Sequence, residues 1–252
     1  MSNVLDRAVT ILKLLLPEGN TKEWGASEIA RQSGIPGGTV HRILLNLKSR
    51  GVVTQNEITK KFRLGLLLME MGFAVRDSLS IVELARPVLK DLAEKTQETA
   101  HLSIQDGNAG VLIDKIDSIH QLRIVEPVGM STPLTRGALK KACLAFLPAQ
   151  EIDLIVDEIE KLYIMKDSEF NRPQIMAELV DIRVNGYAIS YGEITAGTVA
   201  IGSPIFDFKG RVAASIGITG PDSRFSPDEM PCKIEAVKKA AATLTKSMGG
   251  TR

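Results

Sequence analysis

The sequence predicts an α+β chain in two parts: a small helical front part closed by a β-hairpin, and a larger back part in which strands run in groups between helices. Three observations carry this. The 252 residues exceed what one domain usually takes. Charge is split along the chain: residues 1–76 hold 11 Lys and Arg against 6 Asp and Glu, while the remainder nets −4. The apolar spacing is helical up to about Arg50, then alternates between strand and helix with no regular βαβ repeat. Hydrophobic residues at 44% and charged residues at 24% describe an ordinary globular composition and exclude fibrous and disordered classes. The apolar run Ile11 to Leu16 is broken by Lys13 and preceded by Asp6 and Arg7, so neither a spanning helix nor a signal peptide is expected, and the cytoplasm is the expected compartment. Cys143 and Cys232 cannot frame a disulfide scaffold, and no Cys or His pair has zinc-site spacing, so no metal and no cofactor are expected.

The first helix is expected from Val4 to Leu16, with Val4, Leu5, Ala8, Leu12 and Leu15 on one face, before the breakers Pro17, Gly19 and Asn20. Gly25 then reads as an N-cap with Glu28 at N3, and Trp24 and Ile29 fill the positions of a hydrophobic staple, which predicts a helix over Ala26 to Ser33. The segment Gly34-Ile35-Pro36-Gly37 is a tight turn into a helix over Gly38 to Arg50, whose Val40, Ile43, Leu44 and Leu47 fix an inner face. That order is a helix-turn-helix. The outer face shows Thr39, Arg42, Asn46 and Ser49, flanked by His41 and Lys48. Such side chains reach phosphates and base edges in a DNA groove, Arg preferring guanine and Asn adenine. Gly51 ends the helix; Val52 to Gln55, a turn at Asn56-Glu57, and Ile58 to Leu64 then read as a hairpin with Lys60, Lys61 and Arg63 in the return strand, a basic wing. An outward polar face can also be merely solvated, and winged helices also serve protein contacts.

In order, the rest reads as a helical linker over 64–78, a helix over Ser80 to Lys95, strands at Thr99 to Gln105 and Val111 to Ile116, and helices at Arg136 to Leu147, Glu151 to Lys161 and Pro173 to Asn185. Strands at Tyr187 to Ile194, Thr198 to Phe206 and Arg211 to Thr219 and a closing helix over Pro227 to Ser247 complete it. The expected divisions are therefore 1–63, 64–78 and 79–252. Ala188-Ile-Ser-Tyr-Gly192 lacks the first glycine of a nucleophile elbow and sits where a strand is expected, so Ser190 is not expected to be catalytic. Cys143 lies on an apolar helix face, which favours a buried inert thiol. His101 alternates with Ala100 and Leu102 on a strand and is most simply a sheet residue, bordering a cavity at most.

Two stretches of the front part, Ala26 to Leu47 and Phe62-Arg-Leu-Gly65, together with Glu98 to Ser103, Gly129 to Pro148, Asn185 to Glu193 and Ser203 to Asp207, resemble the IclR family of bacterial transcriptional regulators over nearly the whole chain. The resemblance implies a GAF-like antiparallel sheet with a cavity for a small organic acid, a dimer or dimer of dimers, and binding to double-stranded DNA at an operator. It points to Ala138 and Leu139, whose backbone N–H groups start a helix, and to Ser190, Thr198, Ala200, Gly217 and Thr219 as effector-binding residues. Two departures matter. Family members often carry a polar pair such as Lys-Ser where this chain has Gly37-Gly38, and they show a His near Thr135, a Thr or Ser near Gly137 and a Gly near Lys140. Arg136, Lys140 or Lys141 then adds positive charge at the pocket rim, so an anionic effector is expected. The alternative is a small-molecule hydrolase that uses a winged helix for oligomerisation; with three histidines, none near a credible nucleophile in sequence, it has little to build on.

Overall fold

Apolar side chains at helical spacing, a capped turn and a short hairpin assemble the front of the chain. The computed structural model describes residues 4–17, 23–77, 80–165 and 169–250, and it divides into two units, Met1–Ser78 and Leu79–Arg252. The expected breakers Gly19 and Asn20, and the junction at Ser78 and Leu79, lie outside the described residues.

In the first unit, α1 (Val4–Leu14), α2 (Ala26–Ser33) and α3 (Gly37–Ser49) bury Ile11, Leu15, Ile29, Val40, Ile43 and Leu44 around one core. The Glu28 carboxylate accepts a hydrogen bond from the Gly25 N–H at 2.7 Å, the reach-back half of a capping box. Gly34 closes α2 at φ 67°, a left-handed conformation that lets the chain turn sharply into α3. The wing is shorter than expected: β1 (Val53–Gln55) pairs with β2 (Phe62–Leu64) over three residues. The reason is Asn56, whose side-chain oxygen accepts from the N–H groups of Ile58 and Thr59, while the Lys60 N–H returns to the Asn56 carbonyl. That network closes a turn over residues that alternation assigns to a strand. The hairpin gains a neighbour instead, because Trp24 and Phe62 exchange two backbone hydrogen bonds of 2.9 and 2.8 Å. Helix α4 (Leu66–Asp77) follows the wing.

The second unit is built on a six-stranded antiparallel sheet of order β5-β4-β3-β8-β7-β6. Its strands are β3 (Thr99–Asp106), β4 (Ala109–Ile116), β5 (Ser131–Pro133), β6 (Ala188–Tyr191), β7 (Thr198–Phe206) and β8 (Val212–Pro221). One face carries Ala100, Leu102, Ile201, Ile205, Ile216 and Ile218 and packs on α5 (Ser80–Thr96) and α9 (Met230–Ser247). The opposite face meets α6 (Ala138–Leu144), α7 (Ala149–Met165) and α8 (Arg172–Asn185) through a second apolar cluster that includes Ala138, Ala142, Leu144, Ile159 and Leu179. A buried carboxylate ties the first face together: Glu98 accepts from Arg224 at 2.8 and 2.5 Å and from Lys233 of α9 at 3.1 Å.

Differences from the sequence reading have local causes. Helix α6 starts at Ala138 because Gly137, at φ 83°, turns the chain there. Strand β6 stops at Tyr191 because Gly192, at φ 64°, turns back to hydrogen-bond Thr198. Strand β5 was not anticipated; its three residues pair with β4 at the sheet edge, too short to show a period.

Helix α6 lies close on the sheet because the strands beneath it lack side chains. Gly202 of β7 pairs with Gly217 of β8. A Cβ on Gly202 would stand 2.7 Å from the Leu139 backbone. Replacing Gly202 by Ala is therefore expected to destabilise the second unit by about 1–3 kcal/mol, through overpacking against backbone that cannot swing away. Gly38→Ala, where an added Cβ meets nothing within 4 Å, is the control and should hold or raise stability. Urea denaturation of both variants checks the pair.

Candidate DNA-binding and effector sites

Burial of Val40, Ile43 and Leu44 turns the other side of α3 outward. His41, Arg42 and Asn46 are exposed and Thr39 is half-buried, so the residues expected to contact DNA lie on and beside one outer face. Asn46 spends one amide proton on the Arg42 carbonyl at 2.9 Å. Leu45, 45% exposed among them, was not anticipated as a surface residue and offers an apolar contact of the kind that meets a thymine methyl. Gly37 and Gly38 are exposed at the start of α3. The helix dipole and the free N–H groups of a first turn favour a phosphate there.

The wing residues separate into two kinds. Lys60 and Lys61 stand at the tip, not in the return strand, and each ammonium faces a carboxylate at 3.6 Å, Glu57 for Lys60 and Glu28 for Lys61. Arg63 is in β2, exposed, and neither it nor Arg42 has an ion pair among the described residues. Exposed pairs such as those of the two lysines are weak and exchange readily for phosphate. Lys48 donates to the Gln55 amide oxygen at 2.9 Å and faces Glu57 at 3.6 Å.

In the second unit, the strand register aligns the expected effector residues in rows across the α6 side of the sheet. Ser190, Ala200 and Thr219 are cross-strand neighbours in one row that ends at Thr99. The next row runs Gly202, Gly217, His101 and Lys115. Thr198 is paired with Pro221 beyond the first row, its hydroxyl donated to the Thr195 carbonyl at 2.6 Å. Over these rows sit Ala138 and Leu139. The Ala138 N–H donates to the Ser190 hydroxyl at 3.1 Å, and the Gly137 N–H donates to the Glu193 carboxylate at 2.8 Å. The start of α6 thus already holds an anion of the protein's own. Glu193 also meets Lys141 at 2.6 Å, and Lys141 meets Glu178 at 2.7 Å, so this lysine is buried but doubly paired. Sequence reasoning gave neither carboxylate a role; Glu193 stands 52 residues from Lys141 and no local pattern marks the pairing. Arg136 donates to the Glu193 carbonyl.

His101 and Lys140 lie deeper. His101 is 1% exposed, and burial, with the nearby Lys140 charge adding to it, pushes its pKa down to about 3. Burial likewise lowers the pKa of Lys140. Cys143 is buried with its thiol pushed up to about 11, which makes it inert, as expected. Ser190 lies in a strand and accepts a backbone hydrogen bond, which is no arrangement for a nucleophile. A groove of about 850 Å³ opens beside α5 and α9, away from these rows. Its buried carboxylate, Glu98, is already held by Arg224 and Lys233. Among the described residues no group of His, Cys, Asp and Glu is placed to hold a metal ion, and no helix is long and apolar enough to cross a membrane.

Residues 4–57 match the family model of the IclR helix-turn-helix domain, and residues 73–246 match that of the bacterial transcriptional regulator IclR C-terminal domain. The chain belongs to the IclR family. Among curated relatives, the HTH-type transcriptional regulator KipR of Bacillus subtilis is 33% identical over 89% of this chain and 90% of its own length. The HTH-type transcriptional regulator BhcR of Paracoccus denitrificans is 33% identical over 97% of this chain and 86% of its own. The crystal structure of the Thermotoga maritima IclR superposes with a TM-score of 0.73 at 28% identity, covering 99% of this chain and 100% of that one. Both matched domains are those of regulators, so the IclR-family chain is a transcriptional regulator and the hydrolase alternative is set aside.

The depressed His101 pKa has a measurable consequence. The folded state keeps this imidazole neutral down to about pH 3, whereas an unfolded chain takes up the proton below about 6.5. Stability is therefore complete above that value and falls as the pH drops toward 3, by up to about 1.4 kcal/mol per pH unit. Urea denaturation between pH 7 and 5 should show this decline, and His101→Gln should flatten it.

Proposed function

We propose that this IclR-family regulator binds double-stranded DNA at an operator through the outer face of α3 and the wing, and that a small organic anion bound to the second unit changes that binding. The observation that carries the DNA reading is the outward face of α3, where Arg42, His41 and Asn46 are exposed while the inner face is fixed by burial. Arg42 and Asn46, with Thr39 and His41, then read base edges or set the register. Arg63 engages phosphate directly, and Lys60 and Lys61 do so by exchanging Glu57 and Glu28 for the backbone. As a DNA-binding regulator the protein acts in the cytoplasm.

The effector reading rests on the α6 side of the sheet. Ser190, Thr198, Ala200, Gly217 and Thr219 share that face, over which Ala138 and Leu139 lie, and Ser190, Thr198 and Thr219 are buried on it. Assembly as a dimer, or a dimer of such dimers, is supported by exposed apolar residues on α1 (Val4, Leu5 and Val9) and on α4 (Leu66, Met69 and Met71). In a symmetric dimer two recognition helices meet half-sites one helical turn or a multiple apart, and an effector that shifts their spacing shifts affinity.

Fluorescence anisotropy across salt tests this, using DNA from the gene's own upstream region against a scrambled duplex of equal length. The specific duplex should bind about a thousandfold more tightly. Arg42→Ala should cost about 1–3 kcal/mol and relax discrimination at one base position, while Arg63→Ala should weaken binding to every sequence and reduce the salt slope by about one. Equal binding of both duplexes by the full chain, with and without carboxylates, would remove DNA from the reading.

A further inference from the structure

Three lysines are buried among the described residues: Lys140, Lys141 and Lys233. Two are neutralised, Lys141 by Glu178 and Glu193 and Lys233 by Glu98. Lys140 is not. It is 3% exposed, yet no hydrogen bond or ion pair reaches its ammonium among the described residues. Its side chain passes over Gly110 of β4, where an added Cβ would stand 2.6 Å from Lys140 Cγ, and Glu126 is the charged group that acts on it most. Beside it His101 of β3, also buried, makes no hydrogen bond through either ring nitrogen, and its Nδ1 lies 3.7 Å from Glu126 Oε2. A buried lysine with no hydrogen bond or ion pair, next to an unsatisfied imidazole, is costly unless something else completes it. A fold that pairs its other buried lysines so closely leaves this one for a ligand.

We propose that Lys140 and His101 form an anion subsite between α6 and the sheet, taking the carboxylate of a small hydroxy-monocarboxylate on the Lys140 ammonium and its hydroxyl between His101 and Glu126. The chemistry follows from the three groups. An ammonium offers donors only and an ionised carboxylate accepts only, whereas a neutral imidazole offers one of each. A ligand that satisfies all three needs one negative charge at the Lys140 end and a donor at the Glu126 end. Glu126 repels a second carboxylate, so the site discriminates against dicarboxylates. This places the anion on the third residue of α6 and on the central strand β3, deeper than the start of α6, where Glu193 already sits. The proposal rests on the reading that the second unit senses a small organic anion.

Thermal melting of the full chain tests it with glycolate, lactate and glycerate, with malate and succinate as dicarboxylates, and with chloride at matched ionic strength. The hydroxy-monocarboxylates should raise the melting temperature saturably and the dicarboxylates and chloride should not. Lys140→Met should melt higher than the parent without ligand, because no charge is buried, and should bind the same acids at least about tenfold more weakly. A lysine with a merely structural role predicts the opposite, a lower melting temperature. Glu126→Gln should admit malate or succinate, and this selectivity readout stands even if Lys140→Met fails to fold. Undiminished binding by a folded Lys140→Met, or unchanged selectivity in Glu126→Gln, would overturn the subsite and leave the anionic effector standing. No response of the parent chain to any carboxylate would overturn both.

Discussion

The arrangement of the second unit depends on the close approach of α6 to the sheet. Gly202 and Gly217 face each other on adjacent strands, and a side chain on either would collide with Leu139 or with neighbouring backbone. Because the strands yield that space, a seven-residue helix is buried along its whole length, two lysines included. Everything distinctive about this face follows. Lys141 is carried in and must be paired with Glu178 and Glu193, and Lys140 is carried in over β4 beside His101. The start of the helix is brought within hydrogen-bond reach of Ser190 and Glu193, which join it to β6 and the turn that follows.

The two units solve different problems with different physics. The first has little interior and relies on local devices: the Glu28 reach-back, the left-handed Gly34 and the Asn56 turn. These hold α3 rigidly while leaving its outer face polar and open, which suits a surface that must meet a ready-made partner. The second has two apolar clusters on opposite faces of one sheet and places charge between sheet and helix. Burying charge is expensive, and apart from Lys140 the buried lysines there are satisfied by residues far away in sequence. Glu98 with Arg224 and Lys233 does this on one face, and Lys141 with Glu178 and Glu193 on the other.

Legibility in the sequence divides along the same line. Helices with a burial stripe, such as α3, and glycine stops, such as Gly34 and Gly51, were readable because period and cap are local signals. The order of elements and the α+β class followed. The wing tip was misread because Ile58 to Lys61 keep a strand-like pattern while one Asn56 side chain overrides it. Strand β5 exists only through its pairing with β4. In the second unit, the family resemblance picked out residues that the register gathers on one face of the sheet, with Ser190, Ala200 and Thr219 in one row. Glu193, Glu178 and Glu126 were not singled out, because each acquires its meaning from a partner on another element. His101 looked like an ordinary sheet residue until burial showed both its nitrogens unsatisfied.

The strand order has a consequence for how the chain comes to be folded. The centre of the sheet is the pairing of β3 with β8, which joins Thr99–Ser103 to Ser215–Thr219 across more than a hundred intervening residues. Closing so long a loop is entropically slow, and contacts of this span are characteristic of late folding. On a ribosome the first unit has all of its residues in hand long before β8 emerges. The outer face of α3 is therefore assembled early, whereas the six-stranded sheet exposes unpaired edges of β3 and β7 until the last sixth of the chain is made. A prematurely terminated chain would keep every residue of the first unit without the strand that holds the second unit's sheet together.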